Sequence, residues 1–417
     1  MSNPVVLFIN TRTSRLEAEP CFAAAIRLGL NVVLLTDLQS HFASDWTSET
    51  ITVDTYDFTA LVEAATDVTR RHDVVGVVCW GDRDVEGVAA VAEALALPGN
   101  TPKSAATCRN KSRLRLALSE AEPAVTPRYA RITSEDELTS ALPHVGFPAI
   151  MKPAGASASK GIFAVNSNEE AKHAYRELMA FSTPANDPIF RHYPAELLLE
   201  QRIDGNEFSV EGIVQGGVVT SCAVTDKYVQ EPFFVEYLQL HPTAQLHREE
   251  QIILDAAKRV VKVAGLTTGA FHAEFRVTET GQPVVIELNG RTGGGYITSH
   301  LINMSRGYDF IEQTLIAVCD LGPVRPMDAP FCIAGSRQVL SSGTGTLIEV
   351  GRIDRALGIT GVISYSPDLP LGQLVSQPPI NYTNSTIGSL LARGLTHESV
   401  VNALAAAESV LDIRLQS

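Results

Sequence analysis

Residues 272–295 read HAEFRVTETGQPVVIELNGRTGGG. Two runs of alternating side chains flank a turn signal at Thr280-Gly281, which predicts a β-hairpin. If those two residues form the tip, cross-strand partners have numbers that sum to a constant. Glu274 then faces Glu287 and His272 faces Asn289. Side chains alternate along a strand, so all four share one face. Directly opposed side chains lie about 4.5–5.5 Å apart at Cβ, and like charges there destabilise the pair. A three-residue loop would slip this register. Something positive should sit between the acids. Two readings stand: Mg²⁺, which suits a small set of oxygen ligands shared with phosphates, or Arg276 neutralising Glu274 as an ordinary strand ion pair.

The chain has 417 residues, which argues for two or three domains. Its net charge of −14 excludes a broad nucleic-acid footprint, so a polyphosphate ligand would need locally gathered cations. The six cysteines fall in no C-x-x-C pair and no zinc spacing, which reads as reduced thiols in a cytoplasmic protein. The opening MSNPVVLFIN lacks the pattern of a signal peptide, and no apolar run approaches the ~18 residues of a membrane span.

The first hundred residues alternate strand and helix patterns: PVVLFIN, SRLEAEPCFAAAIRLGL, NVVLLTD, then DVVGVVCW and DVEGVAAVAEALAL. That order predicts a doubly wound parallel sheet over 1–105. It carries no G-x-G-x-x-G. Ligands can still gather beyond the strand ends, at Asn10-Thr11-Arg12 or Gly81-Asp82-Arg83-Asp84, although loops and caps explain both equally. FPAIMKPAGASASKGIFAV reads as strand, small-residue loop, strand. Backbone N–H groups in 154–161 could approach an anion, with Lys152 adding a point charge; a flexible hairpin loop is the alternative. ELLLEQRIDGNEFSVEGIVQGGVVTSCAV reads as an antiparallel meander turning at Asp204-Gly205 and Gly216-Gly217. Residues 248–264 form an amphipathic helix, and a small α/β tail begins near residue 330.

Taken in order, LPGNT (97–101), NKSRLRLAL (110–118), IMKPAGASASKGI (150–162), LLEQRIDGNEFSVEG (198–212) and HAEFRV…VIELNGRTGGGY (272–296) resemble the ATP-grasp superfamily. Within it they resemble the carboxylate–amine ligases, including bacterial L-amino-acid ligases that form dipeptides. The resemblance implies an α/β ATP-grasp fold: an N-terminal parallel-sheet domain (1–105), a small central α+β lid (106–195) and a C-terminal α+β domain (196–417) that includes the tail. It implies that Lys111 and Lys152 hold the phosphates of ATP, that Gly155, Ser157, Ser159 and Gly161 close over them, that Glu200, Gln201 and Ile203 bind the adenine, with Glu207 on the ribose, and that Leu288 also contacts ATP. Glu274, Glu287 and Asn289 would hold Mg²⁺, with Mn²⁺ as a substitute, which favours the metal reading. Arg291 and Lys152 would be catalytic. Arg291, His272, Gly293, Gly294 and Glu236 would meet the substrates, a carboxylic acid and an amine such as an amino acid. Relatives of this kind are often homodimers, and neither nucleic acid nor membrane is an expected partner. One departure stands out: Asn110 precedes Lys111 where relatives often carry Asp, which leaves the local partner of that lysine open. The alternatives are another ATP-grasp enzyme, such as a carboxylase or purine-pathway ligase, and a non-catalytic ATP-binding protein.

Overall fold

The computed structural model describes residues 3–38, 42–157, 159–377 and 385–416. The N-terminal sheet is four parallel strands in the order Glu49–Thr52, Asn31–Thr36, Val5–Ile9, Val74–Cys79. Strands Val5–Ile9, Asn31–Thr36 and Val74–Cys79 are near-continuously apolar and largely buried, as parallel sheets require, while the edge strand Glu49–Thr52 alternates. One face carries the helices Phe58–Thr69 and Val85–Ala94. The other carries Arg15–Arg27 together with Phe310–Val318, a helix supplied from far along the chain through Ile311, Leu315 and Val318.

Residues 102–121 form two helices. Pro102–Arg109 stops at Asn110, which starts Lys111–Ala121 by accepting from the Arg113 N–H at 3.0 Å. Asn110 is therefore an N-cap, the role its short polar side chain suits. The lid is an antiparallel sheet in the order Tyr129–Ile132, Leu197–Gln201, Ala149–Pro153, Phe163–Val165, covered by Glu135–Val145 and Asn168–Phe181. Strand Leu197–Gln201 lies in the middle of this sheet, so a division at residue 195 would cut through it.

The expected meander is corrected at its first turn. Leu197–Gln201 and Asn206–Gln215 do not pair; they belong to different sheets, and residues 202–205 cross between them. Gly205 has φ +137°, and a Cβ there would lie 2.0 Å from the Val277 carbonyl oxygen, so the crossing passes where no side chain fits. The second turn is as expected, with Gly216 and Gly217 at positive φ between Asn206–Gln215 and Val218–Gln230.

The largest sheet has eight antiparallel strands: Pro283–Asn289, Gly269–Val277, Asn206–Gln215, Val218–Gln230, Val235–His241, Ile333–Leu340, Thr386–Gly394 and Val362–Pro367. The last three come from the tail, which thus extends the sheet and adds a small sheet of Leu374–Val375, Gly345–Gly351 and Asp412–Gln416. One face of the large sheet is apolar. Phe208, Val210, Phe271, Ala273, Phe275, Val285 and Leu288 pack against Ile253, Ala257, Val260 and Val261 of the helix His247–Ala264. The opposite face carries the charged residues and forms the wall of a cavity.

Candidate active site

The hairpin has the predicted pairing at its functional end: His272 faces Asn289 and Glu274 faces Glu287. Its tip differs. The Gly281 N–H donates to the Thr278 carbonyl and the Thr278 N–H to Gln282, closing a three-residue loop, 279–281, with Gly281 at φ +78°. Beyond Glu274 the register shifts, Phe275 facing Val285, so Ile286 is an extra residue in its strand. The longer loop and the bulge offset one another, and the acids remain opposed.

A cavity of about 900 Å³ opens between the lid, the N-terminal sheet and the charged face. Lys111, Lys152, Ser157, Ser159, Glu200, Gln201, Ile203, Glu207, Glu236, His272, Glu274, Glu287, Arg291 and Gly294 all line it. Gly155 lies in the turn after strand Ala149–Pro153, with Tyr193 so close that an added Cβ would fall 2.9 Å from it. Gly161, at φ +75°, turns the loop back under Pro153. Ser159 donates to the Phe234 carbonyl at 2.9 Å, tying this loop to the large sheet. Ala158, part of the expected phosphate loop, lies outside the described residues. Leu288 is placed differently from the expectation: alternation puts it on the apolar face, within the core under His247–Ala264.

The two acids meet separate cations. Glu287 pairs with Lys111 at 2.8 Å and accepts from the Asn289 amide at 2.6 Å. The Lys111 ammonium also donates to the Ala156 carbonyl at 2.6 Å, bringing the loop after strand Ala149–Pro153 to the hairpin and giving that lysine its partners despite Asn110. Glu274 accepts from Lys227 at 2.5 Å and from His272 Nε2 at 2.9 Å. Burial resists the charge on Glu274, but Lys227 and His272 prevail and hold it well below the ordinary carboxylate range. Arg276 pairs with Glu207 instead, Nε to Oε2 at 3.1 Å, and also donates to the Ile203 carbonyl at 3.1 Å. Arg276 therefore does not neutralise Glu274; a strand cation does so, but it is Lys227.

Lys227, with 1% of its side chain exposed, also reaches Glu236 at 2.6 Å and Glu207 at 3.6 Å. Burial disfavours its charge, yet Glu236, Glu274 and Glu207 outweigh this and keep it protonated. His272 holds Glu211 at its other nitrogen, 2.8 Å away. Burial again opposes the imidazolium, while the hydrogen bonds to Glu211 and Glu274 lift its pKa to about 9. Gly293 sits against this pair: a Cβ there would lie 3.1 Å from Glu211 Oε1 and His272 Nδ1.

At the lid end, Glu200 lies between Arg115, at 2.8 Å, and the Lys152 ammonium, in direct contact with both. Burial opposes its charge, and the two cations still hold its pKa below the ordinary value. Burial lowers that of Lys152, partly offset by Glu200. The carboxylate assigned to adenine is thus committed to protein partners.

Sequence reasoning missed Lys227, Glu211 and Arg115. Lys227 carried a signal, a charged residue at an inward position of VTDKYVQ. Counting from the Gly216-Gly217 turn places it opposite Asn206, one residue from its true partner Glu207, because the strand is irregular between Val219 and Ser221.

The donors fit a hard divalent cation. Glu274 and Glu287 are opposed, each with 15% of its side chain exposed toward the cavity, and the Asn289 amide, whose nitrogen donates to Glu287, carries an oxygen as well. All are oxygens, and no cysteine lines the cavity.

Comparison with known proteins bears on the same segments. Residues 145–300 match the ATP-grasp domain and residues 22–99 the ATP-grasp N-terminal domain. The chain is an ATP-grasp protein. The uncharacterized protein y4rH of Sinorhizobium fredii is 29% identical over 87% of this chain and 73% of its own length. The alanine–anticapsin ligase of Bacillus subtilis is 24% identical over 62% of this chain and 57% of its own. The ATP-grasp fold here superposes on the crystal structure of the L-amino acid ligase from Bacillus licheniformis with a TM-score of 0.83, at 21% identity and full coverage of both chains. Among the described residues no helix is long and apolar enough to cross a membrane.

Proposed function

We propose that this ATP-grasp protein is an ATP-dependent carboxylate–amine ligase that releases ADP and phosphate and joins an amino acid or small carboxylic acid to an amino acid. The observation that carries this reading is the opposed pair Glu274 and Glu287 on the cavity wall, with Lys111 and Lys152 bordering the same space. The ligase named for alanine and anticapsin supports the substrate class.

A carboxylate resists attack by an amine because its leaving group is poor. One carboxylate oxygen takes the γ-phosphoryl group of ATP, ADP departs, and an acyl phosphate results. The amine nitrogen then bonds to the acyl carbon, phosphate leaves, and the nitrogen loses a proton. Phosphoryl transfer asks a protein mainly for positioning and for cations around the developing charge. Lys111 and Lys152 hold the phosphates. Glu274, Glu287 and Asn289 would hold Mg²⁺, which when bound draws charge from the transferring group. Lys111 then leaves Glu287 for the nucleotide. Arg291 steadies the acyl phosphate. Glu236, already holding the ammonium of Lys227, is suited to a substrate ammonium.

The test is phosphate release from pairs of amino acids and small acids, with mass detection of the product. Release that requires both an acid and an amine, with ADP rather than AMP formed, is the expected result. Release that requires bicarbonate and no amine would replace this reading with carboxylation.

A further inference from the structure

Arg291 is held from the N-terminal domain. Asp82 accepts from its Nε at 2.9 Å and from its Nη2 at 2.8 Å, a two-point grip that fixes the plane of the guanidinium as well as its position. The third bond goes to the Thr292 carbonyl from Nη1, at 2.8 Å. A guanidinium has five N–H groups, so one remains on each terminal nitrogen of a side chain that lines the cavity.

The grip is built where parallel sheets place functional loops. Asp82 follows strand Val74–Cys79 and opens the short turn leading into helix Val85–Ala94. From the end of the neighbouring strand, Arg12 donates to the Thr292 carbonyl at 3.0 Å and to Gly293 at 3.1 Å. Two loops of one domain thus hold both the side chain and the backbone of the segment that closes the cavity. Burial works against an ionised Asp82, but Arg291, with Arg109 and Lys111 beyond it, keeps it charged.

We infer that Asp82 is a positioning residue: it orients Arg291 so that the free terminal N–H groups meet the anionic group formed on the substrate carboxylate. This rests on the ligase reading, since it assigns Arg291 a developing charge to meet. It predicts that the N-terminal domain acts on turnover rather than on nucleotide binding.

Two measurements test it. The first needs no reaction. With ¹⁵N-labelled arginine, the Arg291 Nε–H signal, identified by its loss in Arg291→Lys, should exchange slowly with solvent in the native chain. It should exchange fast in Asp82→Asn and Asp82→Ala, while ADP affinity holds in the folded variants. Unchanged protection in both variants overturns the proposal whatever the protein catalyses. The second uses the acid- and amine-dependent phosphate release. Asp82→Asn should lower kcat by about 10- to 100-fold with the KM for ATP unchanged. Added guanidinium should partly restore Arg291→Ala but not the double variant Asp82→Asn/Arg291→Ala, because only an intact Asp82 can seat the free cation. Equal rescue of both overturns the positioning role. If no acid–amine pair releases phosphate while the Nε–H result holds, the ligase reading fails and the grip stands.

Discussion

Two carboxylate clusters border the cavity, and they are built to opposite ends. Glu200 is sealed between Arg115 and Lys152, with 4% of its side chain exposed and none of Arg115. Glu274 and Glu287 also have a lysine each, yet keep 15% of their side chains open and face one another across a hairpin. In the sealed cluster, two cations share one acid, and removing a partner leaves a buried charge uncompensated. In the open cluster the lysines come from different elements, the helix Lys111–Ala121 and the strand Val218–Gln230, so one can leave without unseating the other. On the proposed reading, the difference separates a fixed support for Lys152 from a site built to exchange an ammonium for a metal.

That contrast can be broken at several points. The largest effect is expected for Glu287→Gln, which removes a metal ligand worth several kcal/mol to the transition state and should cost turnover at least about 10³-fold, with melting temperature little changed. Turnover near that of the native chain would remove the metal role. Next, Arg115→Leu strands Glu200 with one partner. Breaking a buried pair costs about 3–5 kcal/mol, so the protein should unfold at distinctly lower denaturant concentration; an unaltered midpoint would show that the sealed cluster is not a support. Lys152→Ala should weaken ATP binding by about 10- to 100-fold, the worth of a hydrogen bond to a charged group, read by calorimetry. Unchanged affinity would deny Lys152 its phosphate. The smallest effect is Arg70→Ala, at an exposed pair with Asp67 that solvent screens. It should leave both melting and turnover where they were.

Much of this was legible in the sequence wherever period and turn chemistry agree. The alternating strands and helices before residue 100 gave the parallel sheet, and Thr280-Gly281 gave the hairpin with its opposed acids. The hairpin also shows the limit. Its loop is one residue longer than Thr280-Gly281 alone implies, and the bulge at Ile286 restores the count. Neither leaves a mark in a single sequence, since a bulge is a local backbone choice that most residues accept. The Asp204-Gly205 pair misled for the same reason. It has the composition of a hairpin turn, but the strands on either side have partners far away, in two different sheets. The ion-pair network was the least legible part. Lys227, Glu211 and Arg115 find their partners through sheet order and through helix packing on the lid, contacts that sequence spacing does not report.

The central claim is that a divalent cation displaces an ammonium at the hairpin acids when nucleotide binds. A crystal grown with Mn²⁺ and a non-hydrolysable ATP analogue tests it, because manganese is located by its anomalous signal. The account predicts an anomalous peak bonded to both Glu274 and Glu287, with the Lys111 ammonium moved from Glu287 to a phosphate. Nucleotide bound in the cavity with Lys111 still on Glu287, and manganese absent or elsewhere, would contradict it.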